Sequence, residues 1–396
     1  MPSSKELFKL DLTNKLILVR VDLNVPIVNG IVQDKTRLQS VLPIIQEIIK
    51  RAGKVVLCSH FGRPNGEYNK KYSLKPLIEP LSKALNFPVY FSPNCIGQET
   101  EVLKKNLKER QVLLLENLRF HKGEEINNKV FSEELTLGFD YFVNDAFSCS
   151  HRKHSSTVGV TNFLPSFMGT HLEKEINALE SVLNNPNKPV AAVIGGSKVS
   201  TKIDVINFLL KKMDFIIIGG AMANTFVAAK GLNIGKSLFE QNCINLAKEL
   251  IEKSKNNNCK LILPSDFIVS KNLKKNVENI TVNFDEIPSD MMALDIGPKS
   301  IEEINENINY CKTILWNGPL GAFETYPFDK GTNKVASYVS SLTKQKKILS
   351  VAGGGDTVSA LNNAKVLNDF SYVSTAGGAF LEWLEGKVLP GIEPIS

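Results

Sequence analysis

Lys346 to Thr357 reads KKILSVAGGGDT. Ile348, Leu349 and Val351 make a short apolar run of β character, and Gly353, Gly354 and Gly355 end it ahead of Asp356 and Thr357. Val358, Ala360, Leu361 and Ala364 follow at the spacing of one helix face. A strand that turns through glycines into a helix brings the backbone close to a ligand and aims unpaired helical N–H groups at it. Those groups and the helix dipole favour an anion. Asp356 would repel that anion unless a divalent cation lay between them, so the segment predicts a phosphate and Mg²⁺ together.

Outward from this turn, strand-like runs alternate with segments of helical spacing. In the first half the runs are Leu16–Val21, Lys54–Cys58, Val89–Phe91, Val112–Leu115 and Tyr141–Val143. In the second they are Val190–Ile194, Phe215–Ile218, Leu261–Leu263, Thr313–Leu315, Ile348–Val351 and Tyr372–Val373. The alternation predicts βαβ units and an α/β fold with parallel sheets. Between the two sets, Leu172 to Leu183 reads as a helix ended by Asn184 and Pro186. The expected division is a first domain over 1–171 with a C-terminal tail from about 379 to 396, a connecting helix over 172–185, and a second domain over 186–378.

Bulk properties narrow the classes of function. A chain of 396 residues makes about two or three domains of usual size. No apolar run approaches the roughly 18 residues of a membrane span, and MPSSKELFKLDL lacks the apolar core of a signal peptide. The six cysteines are scattered with no C-x-x-C, as expected of reduced thiols in the cytoplasm. A net charge of +6 without a dense basic run argues against a nucleic-acid partner. A monomer without a membrane partner is expected. All seven arginines precede residue 153 and all five histidines precede residue 172, whereas the rest of the chain uses only lysine. Arginine is the residue of the bidentate fork, so the two halves predict different kinds of anion site.

Most of the runs end in chemically distinctive residues, and in doubly wound sheets ligands bind beyond the carboxyl ends of strands. The first half brings Asp22, Asn24, His60, Arg63, Glu116, Asn117, Arg119, Asn144 and Asp145 to such ends. The second brings Gly195, Gly196, Lys198, Gly219, Gly220, Asp266, Asn317, Gly318, Pro319 and the glycines before Asp356. Turn chemistry explains any one of these, but not a His/Arg set in one half and a Gly/Lys set in the other. His60, Arg63, Arg119, Arg152 and Arg37 converging as five cations imply a multiply charged anion, such as a small carboxylate bearing phosphate. His151 joins that site, since His151 and His154 lack a Cys or carboxylate partner for a metal, and Arg51 and Arg110 read as surface residues. In the second half Lys198 and Lys202 are four apart, on one face of a helix opened by Gly195 and Gly196, and suit a nucleotide's phosphates. Gly231 to Ser237 only imitates a phosphate-binding loop, because Lys230 stands where its first glycine is required.

RVDLNVP (20–26), SHFGRP (59–64), ENLRF (116–120), NDAF (144–147), HRKHSSTVG (151–159), GGSKVSTKI (195–203), IGGAMANTF (218–226), LDIGPKS (294–300), WNGPLGAFE (316–324), GGGDT (353–357) and FLEWLEGKVLPG (380–391) resemble the phosphoglycerate kinase family, in order and along essentially the whole chain. The resemblance implies two Rossmann-like three-layer α/β/α domains joined by a helix and hinge. It implies 3-phosphoglycerate and 1,3-bisphosphoglycerate on the first domain, at Asp22, Asn24, Arg37, His60, Arg63, Arg119 and Arg152. It places ADP or ATP on the second, with Lys198 and Lys202 on the phosphates and transferring group, Gly219 and Gly220 at adenine, Asn317 at the phosphates, Glu324 at the ribose and Asp356 on Mg²⁺. Gly195, Gly196, Pro319, Gly353, Gly354, Gly355 and Thr357 complete that set. Departures are small: Ala376 in Thr375-Ala-Gly-Gly where the family often has Gly, Cys149-Ser150 where Thr-Ala is usual, and variation at Ser197 and Thr201.

The implied reaction is in-line phosphoryl transfer, which needs positioning and neutralisation of three equatorial oxygens. Arg37, Lys198, the amides of Gly353, Gly354 and Gly355 and Mg²⁺ are the expected surround. A carboxylate acceptor carries no proton and needs no general base. The domains are expected to close about Leu172–Leu183 before transfer. Two rival readings lose ground in the sequence. A nicotinamide dehydrogenase would show G-x-G-x-x-G after a strand, and a two-lobed solute-binding protein would carry an export signal.

Overall fold

The structure, a computed structural model, describes residues 2–28 and 31–395. Residues up to Ile176, together with those from Val388 onward, form one compact unit, and Asn177–Lys387 form a second. Each is built on a six-stranded parallel sheet flanked by helices. The first sheet runs, edge to edge, Val89–Ser92, Val112–Leu115, Lys54–Cys58, Leu16–Arg20, Tyr141–Asn144 and Ser166–Met168. The second runs Lys260–Ile262, Phe215–Ile218, Val190–Ile194, Thr313–Asn317, Leu349–Gly353 and Tyr372–Ser374. In the first unit strand order reverses between Leu16–Arg20 and Tyr141–Asn144, in the second between Val190–Ile194 and Thr313–Asn317. Such a reversal leaves a crevice at the strands' carboxyl ends.

These strands are apolar almost throughout because helices cover both faces of each sheet. Alternate residues supply opposite faces. Ile17, Val19, Val55 and Leu57 pack into one core of the first unit, while Leu18, Val56 and Cys58 pack into another. In the second unit Ala191, Val193, Ile217, Ile314 and Trp316 enter a core closed by Val335, Val339 and Leu361. No helix among the described residues is long and apolar enough to cross a membrane.

Several elements lie outside the sequence expectation. Ser166–Met168 adds a sixth strand of three residues, too short to show a pattern. Ile27–Val28 pairs with Ile31–Val32, and Asp266–Ser270, Ile280–Asn283 and Met292–Ile296 make a small antiparallel sheet. Leu263 was read as the end of a strand, but that strand is Lys260–Ile262. The connecting helix runs from Thr170 to Leu183, so its two ends belong to different units. Asp145 Oδ1 anchors its start, accepting from the N–H groups of His171 at 2.7 Å and Leu172 at 3.1 Å. The tail joins the first unit later than residue 379. The helix Gly377–Leu384 buries Phe380 and Leu384 in the second unit, and the first unit gains the chain only from Val388. There Gly391 N–H donates to Ser150 O at 2.8 Å, and Asn144 Nδ2 donates to Gly391 O at 2.9 Å.

Candidate functional site

In the first unit, Asp22 follows the strand Leu16–Arg20 and Arg37 lies on the short helix Thr36–Ser40. Arg37 Nη1 stands 3.0 Å from Asp22 Oδ2 and donates to Asn24 O at 2.8 Å. Burial pushes the Asp22 carboxyl up, but the facing His60 ring, the Arg37 guanidinium and hydrogen bonds from Ser148 and Asn24 bring it below its ordinary range. Asn24 Oδ1 in turn accepts from Gly62 N–H at 3.1 Å, tying two strand ends together. Arg119 is 4% exposed, donates from Nη1 to Gly62 O at 2.8 Å, and has Nε 3.0 Å from Glu125 Oε1. Arg152 Nε donates to His151 Nε2 at 3.2 Å. Arg63 is exposed, and its guanidinium meets no acceptor among the described residues.

His60 departs from its expected role as a fifth cation. It is 8% exposed, and Arg20 Nη2 faces its Nδ1 at 3.3 Å. Burial, then the charges of Arg20, Arg119 and Arg152, push its pKa well below the ordinary value, although Asp22 opposes them. Arg20 can only donate, so Nδ1 accepts and the neutral ring carries its proton on Nε2. Arg20 is itself buried, held by Ser156 Oγ at 2.9 Å and by Val21 O, and Ser156 Oγ donates to the buried Glu124 at 2.6 Å. An oxygen of Asp22, a ring nitrogen of His60 and Cys149 Sγ lie within 4.8 Å of one another. Arg20 and Arg37 already face that cluster and burial raises the Cys149 thiol, so the cluster is poorly suited to holding a further cation.

In the second unit, Asn317 joins three segments. Its Oδ1 accepts from Lys202 Nζ, and its Nδ2 donates to Gly353 O at 2.7 Å. Gly195 N–H donates to Asn317 O at 3.0 Å, Gly219 N–H to Ile194 O at 3.0 Å and Gly220 N–H to Leu320 O at 2.8 Å. Met222 N–H donates to Gly196 O at 3.0 Å. A Cβ at Gly195 would overlap the carbonyl of the buried Pro319, so only glycine fits this crossing. Burial pulls the Lys202 ammonium down to about 8, against the carboxylates of Asp356 and Glu385. The helix Gly355–Asn363 opens after Gly354, and Thr357 Oγ1 accepts from Gly318 N–H at 2.7 Å. Gly355 and Asp356 are exposed on that first turn, whose leading N–H groups have no intrahelical partner. Glu324 is exposed as well.

Lys198 and Lys202 do not share a helical face. The helix starts at Ile203, and residues 197–202 are a non-helical loop that ends in a turn over 200–202. In place of a helical bond to Lys198 O, Lys202 N–H donates to Val199 O at 2.9 Å, while Ser200 N–H donates to Glu240 Oε2 at 2.9 Å and Glu240 also takes a backbone bond from Val199. Several strand-end residues serve the fold instead of a ligand. Glu116 accepts from Ser73 and Leu74, Asn117 bonds Phe61 and Tyr72, and Asp266 accepts from the N–H groups of Lys299 and Ser300 at a helix start. Sequence reasoning passed over Arg20, Glu124, Ser148 and Glu240, which hold site residues through buried or loop contacts that no motif spacing displays.

Comparison with known proteins identifies the family. A family model described as phosphoglycerate kinase matches residues 7–387. The phosphoglycerate kinase of Sinorhizobium medicae is 50% identical over 383 residues, covering 97% of this chain and 96% of the relative, and that of Bradyrhizobium diazoefficiens is 51% identical over the same length and shares. The solved phosphoglycerate kinase of Coxiella burnetii superposes with a TM-score of 0.91 at 40% identity, covering 98% of this chain and 97% of that one. That of Pyrococcus horikoshii gives 0.82 at 29% identity, covering 100% and 98%. Fold and matches thus define a kinase, an enzyme that transfers a phosphoryl group. The chain belongs to the phosphoglycerate kinase family, whose reaction is reversible transfer of the acyl phosphate of 1,3-bisphosphoglycerate to ADP, giving 3-phosphoglycerate and ATP.

Proposed function

We propose that the first unit binds the phosphoglycerate through Asp22, Asn24, Arg37, His60, Arg63, Arg119 and Arg152, and that the second binds ADP or ATP with Mg²⁺. The observation that carries this is the turn Gly353–Thr357: a helix start with open N–H groups, a partly buried ammonium at Lys202 and the exposed carboxylate of Asp356. A single exposed carboxylate beside phosphate-binding amides fits Mg²⁺, which takes one or two carboxylates together with phosphate oxygens and waters. When bound, Mg²⁺ supplies charge neutralisation between the nucleotide's phosphates.

The residues then have distinct tasks. Arg63, Arg119 and Arg152 fix the phosphoglycerate by charge-assisted hydrogen bonds. Neutral His60 donates from Nε2, and Asp22 keeps the Arg37 fork oriented. Arg37, Lys198 and the amides of Gly354 and Gly355 surround the equatorial oxygens as the phosphoryl group moves in line between the nucleotide and the carboxylate. Gly195, Gly196, Gly219, Gly220 and Pro319 shape the adenine side, Asn317 holds Lys202 near the phosphates, and Glu324 takes the ribose hydroxyls. Hinge bending about Thr170–Leu183, a monomeric state and a cytoplasmic location belong to the same proposal, the last supported by six free, buried thiols. Turnover of ATP with 3-phosphoglycerate, followed by coupled absorbance with and without Mg²⁺, tests the reading. Turnover that requires all three is expected, and full activity in chelator would overturn the metal assignment.

A further inference from the structure

Residues 195–202 link the strand Val190–Ile194 to the helix Ile203–Leu209, with Lys198 exposed and Lys202 at their end. Within the loop, Lys202 N–H donates to Val199 O at 2.9 Å, Thr201 Oγ1 donates to Lys198 O at 2.9 Å, and the Val199 side chain is fully buried. The other restraint comes from a residue 40 positions further on. Glu240 accepts from Ser200 N–H at 2.9 Å on Oε2 and from Ser200 Oγ at 2.6 Å on Oε1. Glu240 is fastened in turn. Its N–H donates to Thr225 Oγ1 at 3.1 Å, and Asn224 Nδ2 holds Leu238 O at 3.0 Å. Asn224 and Thr225 are buried on the helix Ala221–Ala229, which opens at Gly220. One carboxylate therefore ties the lysine loop to the helix that starts at the expected adenine glycines. Slight burial raises its pKa, but the bonds from Ser200 and Val199 and the charge of Lys198 bring it below the ordinary value, so it is an ion at neutral pH.

We propose that Glu240 is a positioning residue for phosphoryl transfer, gripping the Ser200 turn so that the Lys198 ammonium is presented to the transferring group. This rests on the reading that Lys198 serves that group. Among the described residues no hydrogen bond holds the Lys198 side chain, so the backbone of its loop sets where its ammonium can reach. Releasing the turn frees the Val199 and Ser200 N–H groups to water and lets the lysine wander. A misplacement of about 1 Å costs on the order of 100-fold in rate, and a donor used mainly in the transition state shows its loss in kcat more than in KM.

The test is a double-mutant cycle of Glu240→Ala and Lys198→Ala, read as kcat and as KM for ADP, with thermal unfolding measured on each variant. Glu240→Ala should lower kcat roughly 10- to 100-fold with KM changed about twofold or less. In the Lys198→Ala background the same substitution should add about twofold at most, because the residue it positions is gone. Glu240→Gln keeps one acceptor for the turn and should retain more activity than Glu240→Ala, which also covers the case that the alanine variant folds poorly. A full-sized effect in the Lys198→Ala background would overturn the proposal and make Glu240 a structural tie only. A wild-type kcat in Glu240→Ala would overturn it as well. A wild-type kcat in Lys198→Ala would fell the underlying reading of Lys198 and the proposal with it, a pattern distinct from either.

Discussion

Gly355→Ala separates a glycine that the fold needs from one that a ligand needs. Gly355 is the first residue of the helix Gly355–Asn363, and its φ is not in the left-handed region. A Cβ built there meets no atom within 4 Å. Alanine loses less backbone entropy on folding than glycine, so the substitution should stabilise by about 0.4–1 kcal/mol. For a unit of this size that raises Tm by roughly 1–4 °C. The added methyl group projects into the space where, on the proposed function, the phosphoryl group must meet the helix N–H groups. Displacing that group by about 1 Å predicts a fall in kcat on the order of 100-fold. The assay is coupled turnover at saturating 3-phosphoglycerate with varied ATP, beside thermal unfolding of the same preparation.

Its neighbour is the control. Gly354 has φ +99°, and a Cβ there would stand 2.7 Å from Asn317 Nδ2. Gly354→Ala must carry left-handed strain of roughly 1–2 kcal/mol as well as that clash, so it should lower Tm together with activity. Only Gly355→Ala should lose activity while keeping or gaining stability. Wild-type kcat and KM in Gly355→Ala would refute the reasoning, because a methyl group in the phosphate path could not go unnoticed. A lower Tm would refute the structural half of it.

Three further outcomes are expected. Arg37→Ala should lower kcat roughly 100-fold, the scale of one lost preorganised donor, and an unchanged kcat in steady-state assay would remove Arg37 from the transfer step. Arg63→Ala should leave unfolding unchanged, since Arg63 is exposed and meets no partner among the described residues, while raising KM for 3-phosphoglycerate by about 10-fold or more; a rise in the ATP KM alone would reverse the assignment of the two units. Asp145 is pushed up to about 7 by burial, against hydrogen bonds from His171 and Leu172 and the charge of Lys174. An unfolded Asp titrates near about 3.9, so from there to about pH 7 the folded chain keeps a proton that the unfolded chain releases. Its contribution to stability is therefore complete below about pH 4, is lost as pH rises to about 7, and is level above that. Asp145→Asn keeps an acceptor for both helix N–H groups and should flatten Tm against pH in that window, whereas parallel curves would show that Asp145 does not titrate there.

The sheets were legible because strands buried on both faces are apolar throughout, and Val190–Ile194 or Lys54–Cys58 can be read without knowing their neighbours. Ser166–Met168 and the strands around Ile280 were not, because they are short, lie at edges or pair antiparallel with partly exposed faces. The turn at Gly353–Thr357 was legible since glycine run, acidic residue and helix spacing are all local. The helical reading of Lys198 and Lys202 failed because the chain turns tightly before the helix, with Lys202 N–H on Val199 O, and the carboxylate that fastens this loop lies 40 positions later, where no spacing rule sees it. His60 was counted as a cation because its type was visible and its burial against Arg20 was not.

That last difference changes how the anion site works. Five converging cations would repel one another and need the ligand to hold them. In the structure two of them face a countercharge, Arg37 at Asp22 and Arg119 at Glu125, and the neighbouring Arg20 reaches Glu124 through Ser156. Buried charges persist only when paired or hydrogen-bonded, so these contacts let the arginines hold their places before any ligand arrives. Each carboxylate also limits how far its guanidinium can swing, which preserves the fork geometry that recognises a phosphate or carboxylate. Arg63 has no such partner, and Arg152 has only the neighbouring imidazole of His151. Of these, Arg63 alone is exposed, so the positive charge open to an incoming anion is greatest there, while the paired arginines act mainly as a preorganised frame. On the proposed function, binding should depend more steeply on salt through the exposed Arg63 than through the buried Arg119, since exposed charges are screened more than buried ones.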